Sequence, residues 1–365
     1  MRRNRLALLA TALLALLAVL APPAAADAPE CGTDGRMKRF ECGPTAAATE
    51  VYGWVWANEP AHLTGEWYSP SARYQFSSVT GGPTNWVRHE GVGTYTVYID
   101  GAPGTGVAHA SAYGWNVRAR CKVTTTSSSG AGRYVVVRCY SFDGALVDSM
   151  FTASYTSVRG RDYRYGYRSA VNGVVTEHNS STGAVNYAHT AVGSYLVSFK
   201  NLGGASGGTV QVTATGQTNV WCKTAGWYPD AIFYNVRVMC FTPAGSPADS
   251  EFGVTFVDKG NIVGDKNPSL GLESGYAWVM ATRTAPDPWA FPASPAWAVT
   301  GSAGVYVVDP AVVVDGGSFQ VTAYDTSANS CVIGGWGAAV VVQCYDVGGV
   351  LAESFFDVAY VGKRV

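Results

Sequence analysis

Charge is scarce in this chain. Asp, Glu, Lys and Arg make up 14% of its 365 residues, against about 25% in an average soluble protein. The formal net charge is −1, so the concentrated basic surface that nucleic-acid binding needs is absent. Histidine is rarer still, with five residues. No Cys-x2-Cys or His-rich spacing is present, which argues against a metal site, and no cofactor motif occurs. Beyond residue 26 no run is apolar enough to cross a bilayer as a helix, and none sustains a helical period. Gly, Ser, Thr, Tyr and Trp take the place of charge, with 43 Gly, 21 Tyr and 11 Trp. That composition suits β-strands joined by tight turns.

The N-terminus reads as an export signal. Met1-Arg2-Arg3-Asn4-Arg5 is positively charged, and an apolar run follows from Leu6 to Ala21. Pro22-Pro23 ends it, and Ala24-Ala25-Ala26 supplies a small-residue cleavage site before Asp27. Residues 1–26 are therefore expected to be a signal peptide, removed in an extracellular or cell-wall-associated product with no transmembrane anchor. Cleavage leaves 22 basic against 26 acidic residues, a net charge of −4. Cys31 follows Ala28-Pro29-Glu30, which is no lipobox.

The strongest signal is internal repetition. Cys139, Cys240 and Cys344 each follow an apolar β-type run, and a glycine comes five residues later at Gly144, Gly245 and Gly349. An acid, a serine, a phenylalanine and an aromatic then recur in register: Asp148, Ser149, Phe151, Tyr155; Asp249, Ser250, Phe252, Phe256; Glu353, Ser354, Phe356, Tyr360. Upstream, Gly-x-Tyr-x-Val recurs at Gly93, Gly193 and Gly304. A spacing of about 100 residues is domain-sized, far longer than a solenoid repeat. Each copy alternates with period 2: Phe151, Ala153 and Tyr155 share one face, Thr152 and Ser154 the other. Seven or eight such candidate strands fall in each copy.

The expected fold is all-β, with three tandem β-sandwich (jelly-roll-like) domains, each with one internal disulfide. The boundaries are a Cys-paired N-terminal segment over residues 27–49, repeat 1 over 50–158, repeat 2 over 159–258, a linker over 259–273 and repeat 3 over 274–365.

Eight cysteines distribute two per repeat and two in the N-terminal segment. The expected pairs are Cys121–Cys139, Cys222–Cys240, Cys331–Cys344 and Cys31–Cys42, each local, as suits an exported chain.

Catalytic patterns are hard to find. Gly204-Ala205-Ser206-Gly207-Gly208 matches G-x-S-x-G, but the strand-like Thr209-Val210-Gln211-Val212 follows where a nucleophile elbow needs a helix. It reads as a flexible turn. His89 and His189 share a repeat position, but repeat 3 has Thr300 there, which suggests a tolerant polar strand position and not a general base. Asp148, Asp249 and Glu353 read as turn acids accepting backbone N–H bonds; no acidic cluster accompanies them to hold a hard cation. No catalytic residues are assigned.

The aromatics leave a choice between core and ligand surface. Tyr52, Trp54 and Trp56 lie on one strand face, echoed by Tyr163, Tyr165, Tyr167 and by Tyr276, Trp278, Met280. They could stack on sugars, but recurrence in all three repeats suits core packing. Trp227 and Trp336 sit between the paired cysteines, a segment read as loop, and are the better candidates for a binding surface. Trp67, Tyr68 and Trp86, peculiar to repeat 1, are further candidates.

The combination of Gly-x-Tyr-x-Val, a cysteine pair and Gly-x3-Asp-Ser-x-Phe-x3-Tyr resembles an uncharacterised group of secreted actinobacterial repeat proteins. The resemblance covers residues 50–362 and implies an extracellular β-repeat protein without a transferable activity. Repeat 3 departs from it at Glu353 and in the shorter gap between its cysteines. A looser likeness is to C1q-type jelly rolls, in fold alone. The expected function is non-enzymatic: a monomer with three pseudo-equivalent units, binding a polysaccharide or cell surface multivalently. The alternatives are a secreted enzyme acting on glycans and a purely structural extracellular protein. If all eight cysteines are paired, reduction raises the intact mass by eight hydrogens; a free thiol in the native protein contradicts the pairing.

Overall fold

The computed structural model describes residues 51–364 apart from 83, 103, 158–163, 261–271, 281–289, 293–296 and 311–313. The expected signal peptide and the expected Cys31–Cys42 pair lie outside the described residues, as does Tyr163. Among the described residues the regular secondary structure is all strand apart from one 3-10 turn (Ala72–Tyr74).

Repeat 1 contributes β1 (Tyr52–Ala57), β2 (Trp67–Tyr68), β3 (Gln75–Ser77), β4 (Trp86–Gly91), β5 (Thr94–Asp100), β6 (Val107–Tyr113), β7 (Ala119–Ser129), β8 (Gly132–Ser141) and β9 (Met150–Thr156). Repeat 2 contributes β10 (Arg164–Val171), β11 (Val174–Asn179), β12 (Val185–Ala191), β13 (Ser194–Lys200), β14 (Thr209–Ala214), β15 (Trp221–Pro229), β16 (Phe233–Phe241) and β17 (Phe252–Asp258). Repeat 3 contributes β18 (Leu272–Val279), β19 (Ala298–Ser302), β20 (Val305–Asp309), β21 (Val314–Tyr324), β22 (Ser330–Trp336), β23 (Val340–Tyr345) and β24 (Phe355–Arg364).

Each repeat is a two-layer sandwich. The inner sheets are β3-β1-β9-β6, β11-β10-β17-β14 and β18-β24-β21; the outer sheets are β2-β4-β5-β8-β7, β12-β13-β16-β15 and β19-β20-β23-β22. The period-2 pattern explains the layering. Phe151, Ala153 and Tyr155 enter the core of repeat 1, Phe252, Val254 and Phe256 that of repeat 2, and Phe356, Val358 and Tyr360 that of repeat 3. All three disulfides join residues directly opposite on adjacent outer strands, with Cα atoms 4.0 Å apart. They fix register within a layer and do not bridge layers.

Sheets also run between repeats. β22 of repeat 3 adds in parallel to β6 of repeat 1 at Ile333 and Tyr113, and β15 of repeat 2 adds to β21 of repeat 3 at Thr224 and Tyr324. At the third seam β7 lies against β14 as separate sheets. Residues 46–365 accordingly form one compact unit.

The alternate, polar faces of the inner sheets are buried against one another. Thr152, Thr255 and Gln320 are fully buried, as is His109 at 1% exposure. One strand position passes hydrogen bonds around a ring. His109 of repeat 1 bridges the hydroxyls of Thr213 and Thr255 of repeat 2, at 3.0 and 2.7 Å. Gln211 of repeat 2 donates to the Val321 carbonyl of repeat 3 at 3.0 Å. Gln320 of repeat 3 accepts from Ser111 of repeat 1 at 2.8 Å and donates to Thr152 at 3.3 Å. Buried polar groups are costly unless paired, and here each finds its partner in the next repeat.

The recurring glycine belongs to the same closure. Gly144, Gly245 and Gly349 have φ of 90°, 82° and 73°, which a side chain disfavours. A Cβ at Gly144 would meet Pro243 of repeat 2, one at Gly245 would meet Val347 of repeat 3, and one at Gly349 would meet Phe142 of repeat 1. The residue after each first cysteine also reaches forward. Lys122 donates to the Thr218 and Val220 carbonyls, both at 2.9 Å, and Lys223 pairs with Asp325 at 2.9 Å. Val332 packs with Ala112 and Phe142 instead. Burial pushes the Lys122 ammonium down to about 7.

Burial also pushes the His109 imidazole down to about 3. The unfolded chain protonates this residue near its ordinary value, so between about 6.5 and 3 it binds more protons than the fold. Stability from this group is therefore present above pH 6.5 and lost as pH falls towards 3. His109→Gln, the residue found at this position in repeats 2 and 3, should flatten that acid limb in denaturation measured across pH. An unchanged limb would place the acid sensitivity elsewhere.

Candidate functional site

The outer face of the repeat 1 outer sheet carries a row of aromatics set by strand register. Trp86 on β4 is opposite Tyr98 on β5, and Tyr98 is opposite Tyr134 on β8. The Tyr98 and Tyr134 rings are 5.1 Å apart, and Trp67 from β2 comes to 6.2 Å from Tyr134. These four residues line an open depression of about 340 Å³. Trp67 and Trp86 are 36% and 45% exposed, unusual for residues that stabilise best when covered. The Arg88 guanidinium lies 4.8 Å from the Trp67 ring and pairs with Glu90 at 2.7 Å. Tyr98 donates to Asp100 at 3.3 Å. The result is an open apolar strip rimmed by hydrogen-bonding groups, its rings tilted 47° between Tyr98 and Tyr134 and 38° between Trp67 and Tyr134.

The strip belongs to repeat 1 alone. The positions of Trp86, Tyr98 and Tyr134 hold Asn186, Ser198 and Asn235 in repeat 2, where the last two bond each other at 2.7 Å. Repeat 3 has Ala298 and Asp309 at the first two. Of the residues singled out in sequence, Trp67 and Trp86 thus come together. Tyr68, their neighbour, points the other way into the core of repeat 1.

Trp227 and Trp336 are not in exposed loops. Both lie on strands, β15 and β22, and pack in the seams between repeats. Trp336 lies 5.1 Å from Trp56 and 4.6 Å from Tyr113 of repeat 1. Trp227 lies 6.0 Å from Trp278 and 6.2 Å from Tyr324 of repeat 3. The segment expected to be loop is strand, since β15 continues to Pro229 and β22 to Trp336, and a β-bulge sets the direction of the rings. Register shifts after Thr224 and after Ile333 reverse the alternation, turning rings that simple parity points outward towards the seam. The third seam has Thr126, Ser169 and Thr215 at the corresponding positions. Three aromatics are replaced together by small polar residues.

The first-strand aromatics also shift register. Gly53, Gly166 and Gly275 face Tyr155, Phe256 and Tyr360, so Trp54, Tyr167 and Tyr276 are the equivalent set. All three are buried, which makes them packing residues.

The recurring acids sit where sequence suggests but with more partners. Asp148 accepts from Gly93 N–H at 2.7 Å, Tyr95 at 3.2 Å and His89 at 3.1 Å. Asp249 does the same with Gly193, Tyr195 and His189, at 2.7, 3.2 and 2.9 Å. The Gly193 N–H, with His189 and Tyr195, holds the Asp249 carboxyl below the usual range. In repeat 3 the histidine and the aspartate are lost together, and the acid is Glu353. The residue opposite Tyr306 is Gly301, not the Thr300 that counting along the sequence gives, because the bulge after His89 and His189 is absent there. The G-x-S-x-G string forms the connection between β13 and β14, with no helix after it.

Trp227→Ala should cost about 3 kcal/mol in denaturant unfolding, the lower end of the range for tryptophan, because the ring is half-buried. Trp86→Ala should stay within about 0.5 kcal/mol of wild type. Equal effects would mean that the seam and the strip are not distinct environments. Comparison of the chain with protein-family models, with curated proteins and with solved structures finds no match.

Proposed function

We propose that this is an exported, non-enzymatic protein that binds an extracellular or cell-wall polysaccharide through the aromatic row of repeat 1. The observation that carries the reading is the cross-strand alignment of exposed Trp86 with half-buried Tyr98 and Tyr134, beside exposed Trp67. Such a strip matches the apolar C–H faces of successive sugar rings, and the rim supplies donors and acceptors for hydroxyls. Binding without cleavage is favoured by the carboxylates beside the row. Glu90 is held by Arg88 and Thr96, and Asp100 by Tyr98, whereas glycoside hydrolysis asks for a paired acid and base.

The reading differs from the sequence expectation in valence. The strip occurs once per chain, so three-site avidity within one chain has no structural support. Export is supported by the N-terminal sequence and by cross-strand disulfides, which persist in oxidising compartments.

The test is retention of residues 27–365 on insoluble cellulose, chitin and peptidoglycan, with an assay for released sugar. Retention on at least one, lost tenfold or more in Trp86→Ala/Tyr98→Ala at unchanged thermal stability, is expected. Retention that survives the double substitution, or none on any matrix, overturns the proposal. Released sugar would make the protein an enzyme.

A further inference from the structure

Repeats 1 and 2 share a His–Asp–Tyr floor at the mouth of the sandwich but differ in what lies over it. In repeat 1 the segment after β1, residues 58–68, crosses this mouth. The Pro60 carbonyl lies 3.0 Å from the Tyr95 hydroxyl, and the His62 carbonyl lies 2.8 Å from His89 Nδ1. Gly65 N–H then donates to the His89 carbonyl at 2.8 Å. The segment ends as β2, antiparallel to β4, with Trp67 opposite Arg88 and Tyr68 opposite Val87. It acts as plug and as added edge strand together.

Repeat 2 has no such segment. β10 turns at Asn172 and Gly173 directly into β11, which pairs back on β10. β12, the counterpart of β4, is left as the sheet edge, with residues 186–191 exposed. Above the shared floor lies an open cleft of about 460 Å³, lined by Arg168, Tyr187, His189, Tyr195, Asp249 and Phe252. His189 is 45% exposed at its side chain where His89 is 8%. Its Nε2 is bonded to Asp249, as in repeat 1, while Nδ1 has no hydrogen-bond partner among the described residues.

We propose that repeat 2 binds an extended polypeptide segment of another protein, added antiparallel to β12 in the way that residues 58–68 add to β4. The plug shows what the floor takes. One carbonyl of the incoming strand faces His189 Nδ1, a second reaches the Tyr195 hydroxyl, and an N–H meets the His189 carbonyl. Main-chain bonds give affinity in this mode, and pockets for side chains give selectivity. β12 has little of the usual protection of an edge: Val185-Asn186-Tyr187-Ala188-His189-Thr190-Ala191 holds no proline, lysine or acid. Its bulge between His189 and Ala191 is one that β4 shares while still pairing with β2. Selectivity comes from Tyr187, which stands where repeat 1 has Val87. Its ring lies 5.9 Å from Tyr195 and under Arg168 at 3.9 Å. It takes room that Tyr68 fills in repeat 1, so the partner carries a small residue there. Two copies of this chain pairing β12 to β12 would leave both clefts without an entering carbonyl, which disfavours self-association.

The experiment is selection of a displayed random decapeptide library on residues 27–365. Amide exchange and affinity are then measured with the selected peptides on wild type, His189→Leu and Ala188→Lys. Expected are peptides of micromolar affinity that slow exchange of the Tyr187 and His189 amides. Both substitutions weaken them at least tenfold at unchanged thermal stability, and Trp86→Ala leaves them unaffected. Ala188→Lys leaves the cleft intact and only guards the edge, so it also tests the strand addition apart from the histidine. No enriched peptide, or peptides that leave β12 exchange unchanged, overturns the proposal, as does protection of β12 by a second copy of the chain.

Discussion

The rest of the structure depends on the burial of polar strand faces between the three repeats. A Thr, Ser or Gln face gains little by burial unless each group is paired, and an unpaired one costs more than the contact returns. His109, Gln211 and Gln320 occupy one position in the three inner sheets, and each bonds into the next repeat. The chain of contacts returns to its start only when all three repeats are present. The glycines at 144, 245 and 349 and the residues after each first cysteine repeat the same forward step. Disulfides within the outer sheets fix strand register but leave closure to these contacts.

Positions held in all three repeats therefore serve the core of each repeat or the ring between them, and chemistry is to be sought where a repeat departs from the others. The aromatic strip exists because repeat 1 alone has Trp67, Trp86, Tyr98 and Tyr134. The open cleft exists because repeat 2 lacks a crossing segment over the same His–Asp–Tyr floor. The two departures lie on different repeats, so the two proposed sites share no residue. The seam between those repeats is also the one where Thr126, Ser169 and Thr215 replace the aromatics of the other two.

Much of the fold was legible in the sequence because period-2 alternation and cysteine spacing are local signals. Phe151, Ala153 and Tyr155 face the core as their alternation implies, and the three described disulfides pair within repeats. The fate of the other face was not legible: Thr152 and Ser154 read the same whether they meet water or another polar sheet. The placement of Trp227 and Trp336 was not legible either: the segment between the paired cysteines reads as loop, whereas β15 and β22 continue through both residues and bulges then turn the rings inward. Part of the site was readable, in the confinement of Trp67 and Trp86 to repeat 1. Tyr98 and Tyr134 were not, because their place in the row follows from cross-strand register.

The central claim is that three sequence repeats make one cooperative body closed by a polar interior. Differential scanning calorimetry of residues 27–365 tests it most directly. The account predicts a single transition with a calorimetric to van't Hoff enthalpy ratio of about one, as for a two-state unit. Separate transitions, or a ratio near three, would show that the repeats fold as independent domains and would contradict it.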